Sequence, residues 1–567
     1  MKLIRPDGHA QWFIVASRLA IAVGMASLSA FPTASSAQSA ATANTAASAP
    51  ELQCTSTPIR NDPVATDPAK CQKDDPFKCQ KDPFLGQLNG PSLPAGLLPI
   101  NAATRDSILG SGLPCQEDVG TTGQEDVQLD NLQRGFDFYS WRTFIALNSP
   151  ADKTTPIERA TPDTPTLWED MGSFKQLADV MLLKSNQLPP LWPTDREGMK
   201  AERERLMPKQ CRDLHVSDES ERMVVKMIEE SFNEPFKTGP LIDQDGRYAI
   251  FDILMNRRMF DYIMANHLNT KDGQVANSSL MVDFPVGLNS TSKTPNSDLG
   301  AFMLKVSWKI LSDGDPEAKT FHTVKALVLT PPIPDEAAQK CFAETLGLIG
   351  FHAVHKTASR PQWIWTSFEH VKNVPDRHQV ATNTLDGPYS FFNVGCKTCG
   401  VNATPPRPWN PDPNPAKQRE LKFRPDDSFK SQIVRETPVT PAAKNMNAIF
   451  QSMLADTVWK NYMLISTQWP SNFPCTQVHL KGTPNPNPDF TKPGTDFTKQ
   501  PDMTCSPAPT FMANSTLETY SQGKVPIASS SCIACHGNAV SFQRGASNPQ
   551  PGKLNQSDFT FILEKAQ

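Results

Sequence analysis

The chain has 567 residues, of which 38 % are hydrophobic and 20 % charged, enough for roughly two to four globular domains. Its formal net charge is -4 and no basic stripe interrupts it, which argues against a nucleic-acid partner. The 52 prolines require extensive loops and extended connections.

The amino terminus reads as an export signal. Lys2 and Arg5 give a basic start, Arg18 precedes the apolar run Leu19 to Phe31, and Ala34-Ser35-Ser36-Ala37 supplies small residues for a cut after Ala37. The apolar run is short for a transmembrane span, and no later stretch is long enough. The expectation is a signal peptide over 1–37 and no span once it is removed; an uncleaved anchor is the alternative. Residues 38–120 form a leader that is flexible at first, then rich in Pro, Asp, Lys and Cys. The chain has 12 Cys. In an exported protein, Cys54, Cys71, Cys79, Cys115, Cys211, Cys341, Cys396, Cys399, Cys475 and Cys505 are expected in disulfides, with pairing not readable from sequence. Cys396 and Cys399 enclose two residues but are followed by Gly400, so a disulfide is expected there.

Helical periodicity starts at Asp130 and runs to about Leu147. Leu132, Phe136, Tyr139 and Thr143 mark one stripe, with Phe138, Trp141 and Ile145 beside it, so this helix should pack on two sides. Phe174 to Leu183, Glu219 to Phe232 and Arg247 to His267 also read as helices. The pattern then changes to alternation. Phe302, Leu304, Val306, Trp308 and Ile310 share one face, with Lys305, Ser307 and Lys309 opposite, which predicts a half-buried strand. Phe321 to Leu329, Leu346 to His355 and Gln362 to Phe368 continue as strands of an antiparallel sheet. A Pro-rich connection over 400–440 leads to a helix from Pro441 to Trp459 and a strand from Tyr462 to Trp469. Asn514 to Gln522 reads as a short helix with Asn514 as its cap.

Cys532-Ile533-Ala534-Cys535-His536 is the C-x-x-C-H signature of covalent c-type haem attachment. Two thiols at this spacing reach the two vinyl groups of one haem, and the following histidine becomes the proximal iron ligand. Met512 lies upstream and is a distal-ligand candidate; a thioether there would suit electron transfer. His352, His355, His370 and His479 are the histidine candidates, and an open distal side would admit peroxide or oxygen. The stretch Gly347 to His370 admits two readings. One is a packed sheet with satisfied histidines. In the other, its His and Trp side chains line the haem pocket. His352 and His355 point to opposite faces if it is a strand, which weakens a two-His metal site.

The pentapeptide resembles that of c-type cytochromes, but the motif falls near the end of the sequence, where those domains place it near the start. Gly246-Arg247-Tyr248, the run PQWIWTSFEH and the run YMLISTQWP are together similar to segments of large secreted bacterial proteins that end in one C-x-x-C-H. That resemblance spans roughly residues 130–567, brings no activity with it, and implies one integrated haem protein.

The expected fold is α+β: a large helical and antiparallel-sheet domain over 121–440, with a short haem segment, within 441–567, packed against it. The expected function is that of a periplasmic or secreted monohaem c-type cytochrome. It would be an oxidoreductase with one haem c on Cys532, Cys535 and His536, or an electron-transfer protein whose large domain docks a redox partner. Its partners would be a redox protein or a small-molecule electron donor or acceptor.

Overall fold

The computed structural model describes Leu52, Cys54 and most of 102–567. The longer stretches outside the described residues are 1–51, 55–101, 118–128, 184–187, 215–222, 227–231, 288–298, 332–336, 407–428, 471–506, 523–529 and 542–556. The expected signal peptide, most of the leader, Cys71, Cys79, Cys475, Cys505 and His479 lie outside them.

The fold is α+β and organised by one sheet. Its strands are β1 (Phe174–Gln176), β2 (Met223–Lys226), β3 (Ile250–Asn256), β4 (Phe302–Leu311), β5 (Thr323–Leu329), β6 (Cys341–His355), β7 (Ile364–His370), β8 (Tyr462–Pro470) and β9 (Pro507–Ala508). Four helices matter to the argument: α1 (Leu129–Leu147), α2 (Arg257–Ala265), α3 (Pro441–Met453) and α4 (Cys532–His536). The spatial order is β1-β3-β4-β6-β7-β8-β9, antiparallel throughout. The long strand β6 holds β4 along one edge, while β5 and then β7 share the other. β2 adds a parallel pair on β5. The sheet runs across residue 440, since β7 and β8 are hydrogen-bonded neighbours. Among the described residues no helix is long and apolar enough to cross a membrane.

Several helical expectations are corrected. Arg247 to His267 divides into β3 and α2, and the Asn256 side chain at the join accepts from the Met259 amide at 3.2 Å. A strand covered on both faces loses its alternation, so its apolar run mimics a helix. Phe174 to Leu183 begins as β1, which is followed by a short helix at Leu177–Met181. Met223–Lys226, inside the third expected helix, is a strand containing Val224 and Val225. Asn514 to Gln522 forms turns, because Asn514 spends its side chain on β7 and on Thr516.

One face of the sheet carries the helices. Trp141 of α1 stacks on Phe450 of α3 at 4.9 Å, and Phe144 stacks on Phe368 of β7 at 4.1 Å. Ser140 bonds Thr366 and Thr467 at 2.7 and 2.6 Å, and Trp141 donates to Asn447 at 3.0 Å. From Gly135 to Leu147 α1 is buried on all sides, beyond the two sides expected.

The opposite face was expected to meet solvent at β4, and it does not. Ser307 is fully buried and Lys309 is 7 % exposed. The segment 514–522 covers Ser307, whose hydroxyl lies 3.0 Å from that of Thr516. It sits so close that a Cβ on Gly350 would meet Thr516 Oγ1 at 2.3 Å and Ser307 Oγ at 2.4 Å. Gly350→Ala should therefore destabilise the protein by about 1–3 kcal/mol in urea unfolding. Adding Ser307→Ala and Thr516→Ala, which remove both obstructing hydroxyls, should recover part of that loss; no recovery would show that the contact is not the cause.

Candidate functional site

Strand register builds the covered face in rows. One row crosses five strands as Met255, Met303, Val354, Trp365 and Gln468. The next, two residues along each strand, is Ile253, Lys305, His352, Ser367 and Ser466. Side chains two apart on a strand share a face, about 7 Å apart. The first row is apolar and ends in one amide. The second is charged at its centre.

The C-x-x-C-H segment lies on the apolar row. Cys532 and Ile533 share a buried cluster with Met255, Met303, Val354, Trp365, Met512 and Phe559. Gln468 anchors the start of α4: its Oε1 accepts from the Ile533 amide at 2.8 Å and from Ser531 Oγ at 3.2 Å. Its Nε2 donates to the Pro509 carbonyl at 2.7 Å. Ser531 caps the helix by accepting from the Ala534 amide.

Cys532 and Cys535 are thiols, whereas Cys396 and Cys399, at the same spacing, form a disulfide as expected. Burial raises both thiol pKa values, that of Cys535 to about 12. Cys54–Cys115 and Cys211–Cys341 are the other disulfides among the described residues.

His536 is oriented. Its Nδ1 lies 2.8 Å from the Phe559 carbonyl. A carbonyl oxygen only accepts, so Nδ1 carries the proton. Burial lowers the ring pKa to about 3, so the imidazole is neutral and Nε2 presents a lone pair. That is the tautomer a metal-ligating histidine needs, with the carbonyl fixing it from behind. Trp365 packs on the ring at 4.4 Å and Phe561 at 4.9 Å. The carbonyl is itself held by strain: Asp558 and Phe559 have φ of 52° and 60°, a region costly for side chains of this size. Lys356 pairs with Asp558 at 2.5 Å, the Phe284 amide donates to Asp558, and Trp363 Nε1 donates to the Asp558 carbonyl at 3.0 Å.

The remaining sequence candidates separate by their hydrogen bonds. His355 bonds Tyr139 through Nδ1 at 2.5 Å and the Leu299 carbonyl through Nε2 at 2.6 Å. His370 uses Nε2 on the Thr320 carbonyl and Nδ1 on the Lys372 amide. These bonds make both of them satisfied core histidines. His352 is different: it is 6 % exposed and its Nε2 has no hydrogen-bond partner. It faces away from His355, as the strand requires. Met512 is 3 % exposed in the same cluster as Cys532, and its amide donates to the Ser530 carbonyl.

The charged row holds groups that sequence reading missed. Glu518 Oε2 stands 3.5 Å from His352 Nε2, and burial pushes its carboxyl up to about 7 against the pull of Lys305. Burial likewise raises Glu234 to about 7, although Thr519 donates to it through both amide and hydroxyl. Burial, then Lys305, lowers His352 to about 3. Lys305 donates to the Leu517 carbonyl and lies over Phe251. Clusters of shifted acids and bases of this kind gather at functional sites. No local motif marks Glu234 or Glu518; the segment 514–522 brings them to Lys305, through Leu517, which takes the lysine, and Thr519, which takes Glu234.

The residues fit a c-type haem. Cys532 and Cys535 supply thiols, and His536 supplies a neutral, correctly protonated imidazole from behind. Compared with known proteins, the chain matches no family model, no curated protein and no solved structure.

Gln468→Leu should free the first turn of α4, so amide exchange over 531–537 should quicken while α1 stays protected; equal quickening in both would refute a local anchor. Glu234 binds its proton in the folded chain at pH values where the unfolded carboxyl, near 4.5, has lost it. Its contribution to stability is therefore full below about 4.5, falls as pH rises to about 7, and is then constant. Glu234→Gln keeps one of the two oxygens that accept from Thr519 and should flatten the loss of stability between pH 5 and 8 in urea titrations.

Proposed function

We propose that this chain carries one covalent haem c on Cys532 and Cys535, with His536 as proximal iron ligand. The protein is then an exported oxidoreductase whose haem lies at or next to its catalytic centre. The observation that carries the reading is the state of His536. Its Nδ1–H is fixed on the Phe559 carbonyl and its ring is neutral, beside two thiols at haem-attachment spacing. When bound, the haem would supply a one-electron iron couple.

The chain's own residues do the rest. Gln468 and Ser531 hold the helix that bears the thiols. The Asp558–Phe559 turn orients the imidazole, and Trp365 covers one side of it. Lys305, His352 and Glu518 add groups that hold or move protons one row away, which favours a reaction over simple electron carriage. Electrons would come from or go to a redox protein or a small-molecule partner. The disulfides Cys54–Cys115 and Cys211–Cys341 support an oxidising compartment, the periplasm or the exterior. Met512, buried beside Cys532, favours the second reading, in which a thioether closes the iron and the protein only transfers electrons.

The test is periplasmic expression in cells that mature c-type cytochromes, followed by a pyridine haemochrome assay and spectra of oxidised, reduced and carbon monoxide-treated protein. Expected are one covalent haem per chain and its loss in the Cys532→Ala, Cys535→Ala variant. Carbon monoxide binding would favour the oxidoreductase, and a low-spin spectrum indifferent to it would favour the carrier. Absence of covalent haem would end both readings.

A further inference from the structure

His352 lies on β6 and meets groups from three other parts of the protein. Its partner positions are Lys305 on β4 and Ser367 on β7. Glu518 approaches from the covering segment. Glu369, two residues along β7 from Ser367, also acts on it electrostatically. Most of these neighbours are already engaged. Lys305 donates to the Leu517 carbonyl. Glu369 takes Arg435 at 3.0 and 2.7 Å and the Ser515 hydroxyl as well. Ser367 accepts from Asn514 at 3.1 Å. The nitrogen left over is His352 Nε2, buried and without a hydrogen-bond partner. A polar atom in that state costs about 1–3 kcal/mol, so it calls for something to bind there.

Its position says where. His352 and Val354 share the covered face of β6, and Val354 pairs with Trp365. His352 and Trp365 are therefore diagonal neighbours, about 7–8 Å apart by strand geometry. Trp365 packs on the His536 ring at 4.4 Å. The unsatisfied nitrogen thus belongs to the same patch as the C-x-x-C-H segment.

We propose that His352, with Glu518 beside it, is the hydrogen-bonding and proton-accepting pair for a small exogenous ligand of the iron, of the protic class that includes peroxide and hydrogen cyanide. The assignment rests on the haem reading above. The neutral imidazole can hydrogen-bond such a ligand and relay its proton to the Glu518 carboxylate as it binds. Glu518 is placed to share that proton at 3.5 Å. With hydrogen cyanide as the probe, the H–C bond broken on binding would release its proton to the His352–Glu518 pair.

The experiment uses full-length holoprotein with haem content measured first. Cyanide association is followed by stopped flow, and the C–O stretch of the carbon monoxide complex by infrared spectroscopy. His352→Leu should slow cyanide association by roughly 100-fold, the lower end for a positioned proton acceptor, and shift the C–O stretch. His352→Gln, which can still donate, should restore the stretch more than the rate. Glu518→Gln, a milder change, should slow association on its own if the leucine variant does not fold. Wild-type rates and an unchanged stretch in folded His352→Leu would overturn the proposal. So would a wild type that binds neither ligand until His352 is removed, because His352 would then be an iron ligand itself. Wild-type protein lacking covalent haem would instead defeat the haem reading, before either ligand is added.

Discussion

A slip of one residue in β6 would turn His352 and Gly350 away from the segment 514–522 and put Phe351 and Ala353 in their place. Everything on the covered face depends on that register. The slip is prevented from the other side of the sheet. Phe351 meets Phe144 edge-on at 5.5 Å, and Phe368 is clasped between Phe144 and Trp141. Tyr139 and the Leu299 carbonyl take both nitrogens of His355. The aromatic packing of α1 and α3 therefore fixes, through the alternation of the strands, which residues reach the C-x-x-C-H segment. Packing on one face and chemistry on the other are the same constraint.

The covered face carries more charge than a buried surface usually does, and its arrangement explains how. Burial alone would raise the Glu369 carboxyl, but the Arg435 fork and Ser515 hold it below the ordinary range. Loss of Arg435 would strand the buried carboxylate, which costs about 3–5 kcal/mol. Glu234 and Glu518 lack a forked arginine and share the influence of Lys305, so burial dominates and both carboxyls rise. The result is one ionised, locked acid next to two acids poised near neutrality. The locked acid also fastens the covering segment, since Ser515 belongs to it. The ion pair is thus structural, while burial holds the other two carboxyls above the ordinary range.

The legible parts of the sequence were those with a strong local signal. Helix α1 follows its apolar stripes to within a residue, and β4, β5, β6, β7 and β8 lie where alternation or β-branched runs put them. The C-x-x-C-H string needs no fold to be read. Local signals failed where the partner was distant. The apolar run of β3 looked helical because both of its faces are covered, although Asn256, an N-cap residue inside the expected helix, marked the break. Lys305 and Ser307 looked exposed because the segment covering them lies some two hundred residues later in the chain. His352 was legible as a candidate, and so was its facing away from His355. Its selection over His355 and His370 depended on which ring nitrogens found partners, and no sequence pattern records that.

Strain at the end of the chain fits the same logic. Asp558 and Phe559 both adopt left-handed backbone, and Trp363, whose Nε1 reaches the Asp558 carbonyl, does so too, with φ of 71°. Each such residue costs of order 1–3 kcal/mol. They are over-determined locally. Lys356 is 1 % exposed and bonds Asp558, and Asp558 in turn accepts from the Phe284 amide. A relaxed turn would leave the lysine without that carboxylate in a buried place. The strained turn keeps Asp558 on a lysine that also bonds Asp283 and, one residue on, delivers a carbonyl to His536 Nδ1. The tautomer of the histidine is therefore set by a lysine and an aspartate acting through backbone geometry, while burial keeps the ring neutral.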